Sequence, residues 1–283
     1  MVLNVLEGMR WGEAQLLAEK IDNARFDADM LLAEILKVSR DKLYFERERT
    51  LSKEEERVFK NWIARRSEHE PLQYILKCQE FMGLTFYVDE GVLIPRADSE
   101  TLVETWLRIV RDEEQQGQEE KIKVADLCTG SGALAISMAY YCPKAEVVGT
   151  DISSRALEVA RQNAVSIGVE VNWREGDFVA PIRGERWDWI ISNPPYVKKA
   201  DYLQCAPEIF REPAIAFLGG QDGLEFYRRL AGEARTLLKL DGKILLEIGW
   251  DQGNDVCNIF QEQGFTTHVY PDLAGRDRVI LAR

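Results

Sequence analysis

The chain has few histidines. His69 and His268 are the two in its 283 residues, and they stand far apart. That argues against a histidine-based metal centre. The five cysteines, Cys78, Cys128, Cys142, Cys205 and Cys257, are odd in number and none are paired as CxxC. This spacing fits reduced thiols better than a disulfide framework or a zinc site. No apolar run reaches ~18 residues, so no membrane-spanning helix is expected. The opening MVLNVLEGMRWGEA has no signal-peptide apolar core. A soluble, cytoplasmic protein is predicted. Positive charge is in deficit, with 36 Lys/Arg against 48 Asp/Glu and a net charge of −12. Residues 1–70 carry 13 against 15, and residues 71–283 carry 23 against 33. An acidic surface repels phosphate backbones, so direct DNA binding is not expected.

What is present is enough for a sizeable core: 46% of residues are hydrophobic. Residues 1–70 read as short amphipathic helices. Asp27 is placed to cap one carrying Leu31, Leu32, Ile35 and Leu36. Ser52-Lys53-Glu54-Glu55 is a capping-box pattern ahead of Val58, Phe59, Trp62 and Ile63. The small bundle these imply serves equally as a packing extension or as a substrate-docking domain. Residues 71–96 alternate in polarity and contain Gly83, predicting a β-hairpin linker. Asp98 or Ser99 is placed to cap a helix through Leu102, Val103, Trp106, Leu107 and Val110. DEEQQGQEEK (112–121) reads as a polar loop.

From residue 122 strands and helices alternate. IKVADLC, AEVVGTD, VEVNWREGD, WDWIISN, KILLEIGW, FTTHVYPD and RVILAR read as strands. GALAISMAYY, SSRALEVARQNAVSIG, GLEFYRRLAGEARTLLKL and DVCNIFQEQG read as helices. This pattern predicts an α/β, Rossmann-like domain over 97–283. Its sheet is mostly parallel and seven-stranded, with helices on both faces and an antiparallel edge from the last two strands.

Three strand ends carry chemistry. The first ends Asp126-Leu127-Cys128-Thr129-Gly130-Ser131-Gly132 directly before a helix. Glycines there admit a ligand close to the backbone. The second ends at Asp151, where a carboxylate can accept from both hydroxyls of a ribose. The third ends Gly176-Asp177-Phe178, able to bond an adenine amino group and pack on the base. No lysine follows the glycines, so a P-loop is excluded, and the G-x-G-x-x-G fingerprint is incomplete. The glycines alone also fit a plain tight turn; the three ends together describe an adenosine site. A fourth strand stops at Asn193-Pro194-Pro195-Tyr196. Two prolines end the ladder and stiffen the loop. The Asn193 side-chain carbonyl and the Pro194 backbone carbonyl can each accept one N–H of a planar NH₂ group, and Tyr196 can pack on its face.

DLCTGSGALAI, VVGTD, EGDF and SNPPY resemble class I S-adenosylmethionine-dependent methyltransferases that act on planar nitrogens. With LIPRADSETLVE (93–104) and the helical N-terminus, the chain resembles the HemK/PrmC-type protein-glutamine N5-methyltransferases, which modify peptide chain release factors. The resemblance implies S-adenosyl-L-methionine as methyl donor and a release factor as protein partner. It implies that Cys128 to Gly132, Asp151 and Phe178 hold the cofactor and that Asn193 to Tyr196 hold the glutamine. The chain departs from the pattern at Cys128, usually glycine, and at Ala97, commonly proline. Arg211-Glu212-Pro213 resembles an element usually read Phe-Glu-Pro. Glu212 and Glu247 each read as either a site-ordering or an ordinary carboxylate. Gly219-Gly220-Gln221 matches the release-factor acceptor tripeptide but reads here as a turn before a helix. The NPPY tetrad suits adenine as well as glutamine. A ribosomal-protein glutamine, duplex adenine and a non-catalytic scaffold remain alternatives to the release factor.

Overall fold

The computed structural model describes residues 3–115 and 121–283, which fall into two compact units. The first comprises Met1–Cys78 and Ala206–Arg211, the second Gln79–Cys205 and Glu212–Arg283.

The first unit holds α1 (Val5–Ala18), α2 (Ala24–Leu36), α3 (Arg40–Leu43), α4 (Lys53–Ser67) and α5 (Leu72–Leu76). Their apolar faces meet on Leu16, Leu31, Leu32, Phe59 and Ile63, all buried. The Ser52–Glu55 capping box forms as the sequence predicted. A second joins Asn4 and Glu7 at the start of α1. Asp27 does not cap α2. It lies inside the helix, buried, and accepts from Arg66 Nε at 2.7 Å. A buried guanidinium left unpaired costs several kcal/mol, more than the roughly 1 kcal/mol of a cap. Ala206–Arg211 forms a 3₁₀ turn over Pro207–Arg211. In it Glu208 accepts from Arg66 Nη2 at 2.9 Å and lies 3.2 Å from His69 Nδ1.

Residues 72–76, expected in a hairpin, are the helix α5. Leu72 and Ile75 are spaced one helical turn apart and both join the bundle core. The hairpin itself is confined to β1 (Cys78–Phe81) and β2 (Leu84–Tyr87). Its turn places Met82 and Gly83 at positive φ, as a type I′ turn requires.

In the second unit α6 (Glu100–Gln115) follows a 3₁₀ turn over Ala97–Ser99. Residues 112–115, read as loop, continue this helix, because no glycine or proline interrupts it before Gly117. Glu113 and Glu114 bond Lys243 and Lys144 at 2.8 and 2.7 Å. Residues 116–120 lie outside the described residues.

The sheet contains β3 (Ile122–Leu127), β4 (Ala145–Asp151), β5 (Asn172–Glu175), β6 (Trp187–Ser192), β7 (Leu238–Glu247), β8 (Thr267–Pro271) and β9 (Asp277–Ala282). Among the described residues these seven strands are ordered β5-β4-β3-β6-β7-β9-β8. β9 runs antiparallel to both its neighbours and the other pairs are parallel. The connecting helices are α7 (Ala133–Tyr141), α8 (Ser154–Ile167), α9 (Lys199–Tyr202), α10 (Glu225–Leu237) and α11 (Gly253–Glu262). The sequence carried α10 on to Leu240, but β7 already begins at Leu238. Both faces are covered: Trp187 sits in one core and Trp189, two residues on, in the other. Among the described residues no helix is long and apolar enough to cross a membrane.

Strand order reverses at β3, which lies between β4 and β6. Ligands bind at such a switch point, beyond the carboxyl ends of the strands. Leu127 stands opposite Ser192 across the β3–β6 pair, so the glycine turn and the NPPY loop leave the sheet at one level.

Candidate active site

A cleft of about 240 Å³ opens at this switch point. Its glycine-turn wall is Cys128, Thr129, Gly130 and Ser131. The turn is fixed from behind. Thr129 N–H donates to Thr150 O at 2.9 Å and Thr129 Oγ1 donates to Asp126 Oδ2 at 2.5 Å. Asp126, expected to touch the cofactor, is fully buried below the turn and does not line the cleft. Burial raises its pKa to about 7 against the opposing bonds from Thr129 and the Ala135 N–H. Gly132 is also outside the cleft wall. It precedes α7 at φ +82°, and a Cβ there would meet Ile136 at 2.9 Å and Trp173 at 3.0 Å. Cys128 adopts φ +58°, a left-handed conformation that glycine takes without strain and cysteine does not. Its side chain packs on the core, and burial pushes the thiol's pKa up.

Asp151 ends β4 on the cleft. Its Oδ2 accepts from Gly130 N and its Oδ1 from Ser153 N, each at 2.9 Å. These bonds tie it to the glycine turn and oppose the burial that raises its pKa. Asp177 and Phe178 line the neighbouring wall. Phe178 stands edge-on to Phe226, centroids 5.0 Å apart, with the Arg229 guanidinium 5.1 Å from its ring. Arg229 also bonds Asp177 Oδ2 at 2.6 Å.

These residues fit S-adenosylmethionine. Space is open above Gly130, where a Cβ would meet nothing within 4 Å. Asp151 offers carboxylate lone pairs for a ribose diol, and Ile152, Phe178 and Leu134 supply apolar walls for a base. Among the described residues no cluster of His, Cys, Asp and Glu is built to hold a metal ion.

The NPPY loop contributes Asn193 and Pro195 to the cleft; the wall includes neither Pro194 nor Tyr196. Asn193 Nδ2 donates to Ser99 Oγ at 3.0 Å, leaving its Oδ1 as the free acceptor. Tyr196 turns away: its hydroxyl donates to Glu247 Oε1 at 3.0 Å, and its carbonyl accepts from Gln252 Nε2 at 3.1 Å. Val197 N–H donates to Phe217 O at 2.8 Å and Gly219 N–H to Val197 O at 3.0 Å, fastening the loop to the segment behind it.

Glu212 is a buried carboxylate rather than a surface one. It accepts from Ile94 N at 3.0 Å and from Arg96 Nη2, joining residues 91–96 to residues 213–216 along the cleft. Burial raises its pKa and Arg96 opposes that. Ser99, read from sequence as a helix cap, instead supports Asn193. Arg96, Leu93 and Ile215 also line the cleft without having been singled out. LIPRADSE was the one signal pointing to the first two.

Comparison with known proteins agrees with this geometry. Residues 7–76 match the PrmC N-terminal domain and residues 113–221 the methyltransferase small domain. The release factor glutamine methyltransferase of Moorella thermoacetica is 41% identical over 277 residues, 96% of each chain. That of Clostridium acetobutylicum is 39% identical over 262 residues, 90% of each. A solved methyltransferase from Pyrococcus furiosus, 20% identical, covers 71% of this chain and 90% of its own with a TM-score of 0.51, which shows the common fold. Near end-to-end similarity at this level, on a methyltransferase fold that displays Asn193 beside the glycine turn, leads to one assignment: the chain belongs to the release factor glutamine methyltransferase family.

Proposed function

We propose that this protein methylates the side-chain amide nitrogen of a glutamine in a peptide chain release factor, in the cytoplasm, using S-adenosyl-L-methionine. The observation that carries the reading is the orientation of Asn193, whose amide nitrogen is committed to Ser99 and whose oxygen is left for the cleft.

An amide nitrogen is a poor nucleophile because its lone pair is delocalised, so catalysis rests on positioning. Asn193 Oδ1 accepts one N–H of the incoming NH₂ group. An acceptor on a proline-stiffened loop fixes the nitrogen's place and direction, and alignment of this kind supplies up to ~7–11 kcal/mol in ideal intramolecular reactions. Tyr196 serves from behind, anchoring the loop through Glu247. Asp151 and the Cys128–Gly132 turn hold the donor, which when bound supplies an electrophilic methyl group on a sulfonium. The proton leaves to solvent after transfer, so no general base is required. The N-terminal helices serve as the docking surface for the protein substrate.

Labelled methyl transfer from S-adenosylmethionine tests the reading. Purified release factor is compared with its Gln→Ala variant, with ribosomal proteins and with duplex DNA. Label in the intact factor alone is expected; label in DNA or in a ribosomal protein instead would overturn it. Asn193→Ala is expected to lower turnover about 100-fold while cofactor binding persists.

A further inference from the structure

We propose that Gln252 is a positioning residue for the NPPY loop, acting on Asn193 through the backbone of Tyr196; this rests on the function proposed above.

Gln252 closes the turn between β7 and α11 and is 3% exposed. Its backbone N–H donates to Gly249 O at 2.9 Å, and its Oε1 accepts from Gly249 N at 2.9 Å, so the turn is fastened from both sides. Its Nε2 reaches across to two carbonyls, Tyr196 O at 3.1 Å and Gly223 O at 3.3 Å. The partners fix which way round the amide lies. A backbone N–H only donates and a carbonyl only accepts, so the oxygen faces Gly249 and the nitrogen faces the loop. Glycine clears the space at both ends. A Cβ at Gly223 would stand 2.6 Å from Gln252 Nε2, and one at Gly249 would stand 2.9 Å from Gln252 Oε1.

Tyr196 lies three residues beyond Asn193, with Pro194 and Pro195 between them. Each proline fixes its own φ and confines the residue before it to extended backbone. The segment therefore has little slack, and a shift at Tyr196 is carried to Asn193 instead of being absorbed. Ser99 Oγ accepts from Asn193 Nδ2 at the near end. At the far end Glu247 holds the Tyr196 side chain by its hydroxyl, and Gln252 holds its backbone by the carbonyl. Gln252 thus sets where the Asn193 oxygen stands without touching the substrate.

Steady-state kinetics on the full chain test this. Gln252→Glu keeps the shape but sets carboxylate oxygen against two carbonyl oxygens. Gln252→Met keeps the bulk and removes all three side-chain bonds, and it carries the same expectation should the first variant not fold. Each is expected to lower kcat about 10- to 100-fold at a temperature well below its own melting point, with the KM for release factor and the affinity for S-adenosylmethionine little changed. A residue that only holds the fold together would lower the melting temperature and leave kcat alone; that result would overturn the proposal. Gln252→Met combined with Asn193→Ala should cost no more kcat than Asn193→Ala alone, because Gln252 acts through Asn193. Additive losses would also overturn it. A further measurement needs no substrate. In ¹⁵N-labelled protein the Asn193 side-chain NH₂ resonances, assigned by their absence in Asn193→Ala, should shift in Gln252→Met. Unmoved resonances sink the positioning role whatever the substrate proves to be. Shifted resonances in a protein that fails to methylate release factor would uphold that role and refute the function.

Discussion

Gly219 lies flat against the backbone of Pro195: a Cβ at position 219 would stand 2.6 Å from the Pro195 carbonyl oxygen and 2.7 Å from Tyr196 Cα. A Cβ at Gly223 would stand 2.3 Å from the Tyr196 carbonyl oxygen. Gly219 of the Gly219-Gly220-Gln221 tripeptide therefore packs against the NPPY loop. Gly219→Ala is expected to displace the tetrad, lowering kcat along with stability by about 1–3 kcal/mol. Gly232→Ala, inside α10 where an added Cβ meets nothing within 4 Å, should stabilise by roughly 0.4–1 kcal/mol and leave kcat alone. Thermal denaturation and steady-state rates of the two variants check this.

Cys128 bears a left-handed conformation that costs an L-residue about 1–2 kcal/mol. Cys128→Gly removes that strain and loses a partly buried side chain, so its stability should stay within about 1 kcal/mol of the parent. Cys128→Val adds a β-branched side chain at positive φ and should lose about 2 kcal/mol or more. Chemical denaturation midpoints for the pair separate strain from packing.

Asp126 gives a pH signature. Its pKa is raised in the folded protein to about 7 by burial. The folded state therefore holds a proton that the unfolded chain has already released. The stabilisation is fully present below about pH 4 and is lost as pH rises toward about 7, roughly 4 kcal/mol at most. Asp126→Asn has no proton to lose. The melting temperature of the variant relative to the parent should climb between about pH 5 and pH 8. A constant difference across that range would refute the assignment.

Glu212 clasps the Ile94 amide and the Arg96 guanidinium. Glu212→Ala strips both donors of their partner; Arg96 is partly exposed and water can take its share, so the orphaned Ile94 amide sets the loss at about 1–3 kcal/mol. Because residues on both sides of the clasp line the cleft, cofactor affinity should fall as well. Glu212→Gln keeps an acceptor for one donor and should fall between the two. Calorimetric titration with S-adenosylmethionine, beside thermal melts, measures both losses.

The fold was legible wherever a short local pattern decides the element. The capping box at Ser52 and the Trp187–Ser192 strand are examples, since hydrogen bonds and burial there depend on residues a few positions apart. It was not legible where tertiary demand outweighs local preference. Asp27 has the residue type of a cap but is taken by Arg66, 39 residues away. Leu72–Leu76 alternates loosely enough to suggest a strand until the bundle core claims its helical face. The cleft repeats the division. Thr129, Asp151, Phe178 and Asn193 sit at strand ends, where topology places ligands whatever the family. The partners that hold them in position are long-range: Ser99 lies 94 residues from Asn193, and Arg96 lies 116 from Glu212. No spacing rule reaches that far. The resemblance in LIPRADSE pointed to the segment without saying what its serine does.

The first unit is built from two separate stretches, Met1–Cys78 and Ala206–Arg211, so the backbone passes between the units three times. The second stretch begins ten residues after Tyr196 and holds Glu208, whose partners Arg66 and His69 belong to the first. Deleting the N-terminus therefore leaves Glu208 without those partners, on a stretch of chain continuous with the NPPY loop. A chimera meant to exchange the first unit with that of a relative must transplant both stretches together, because neither is a complete module for inheritance or for engineering.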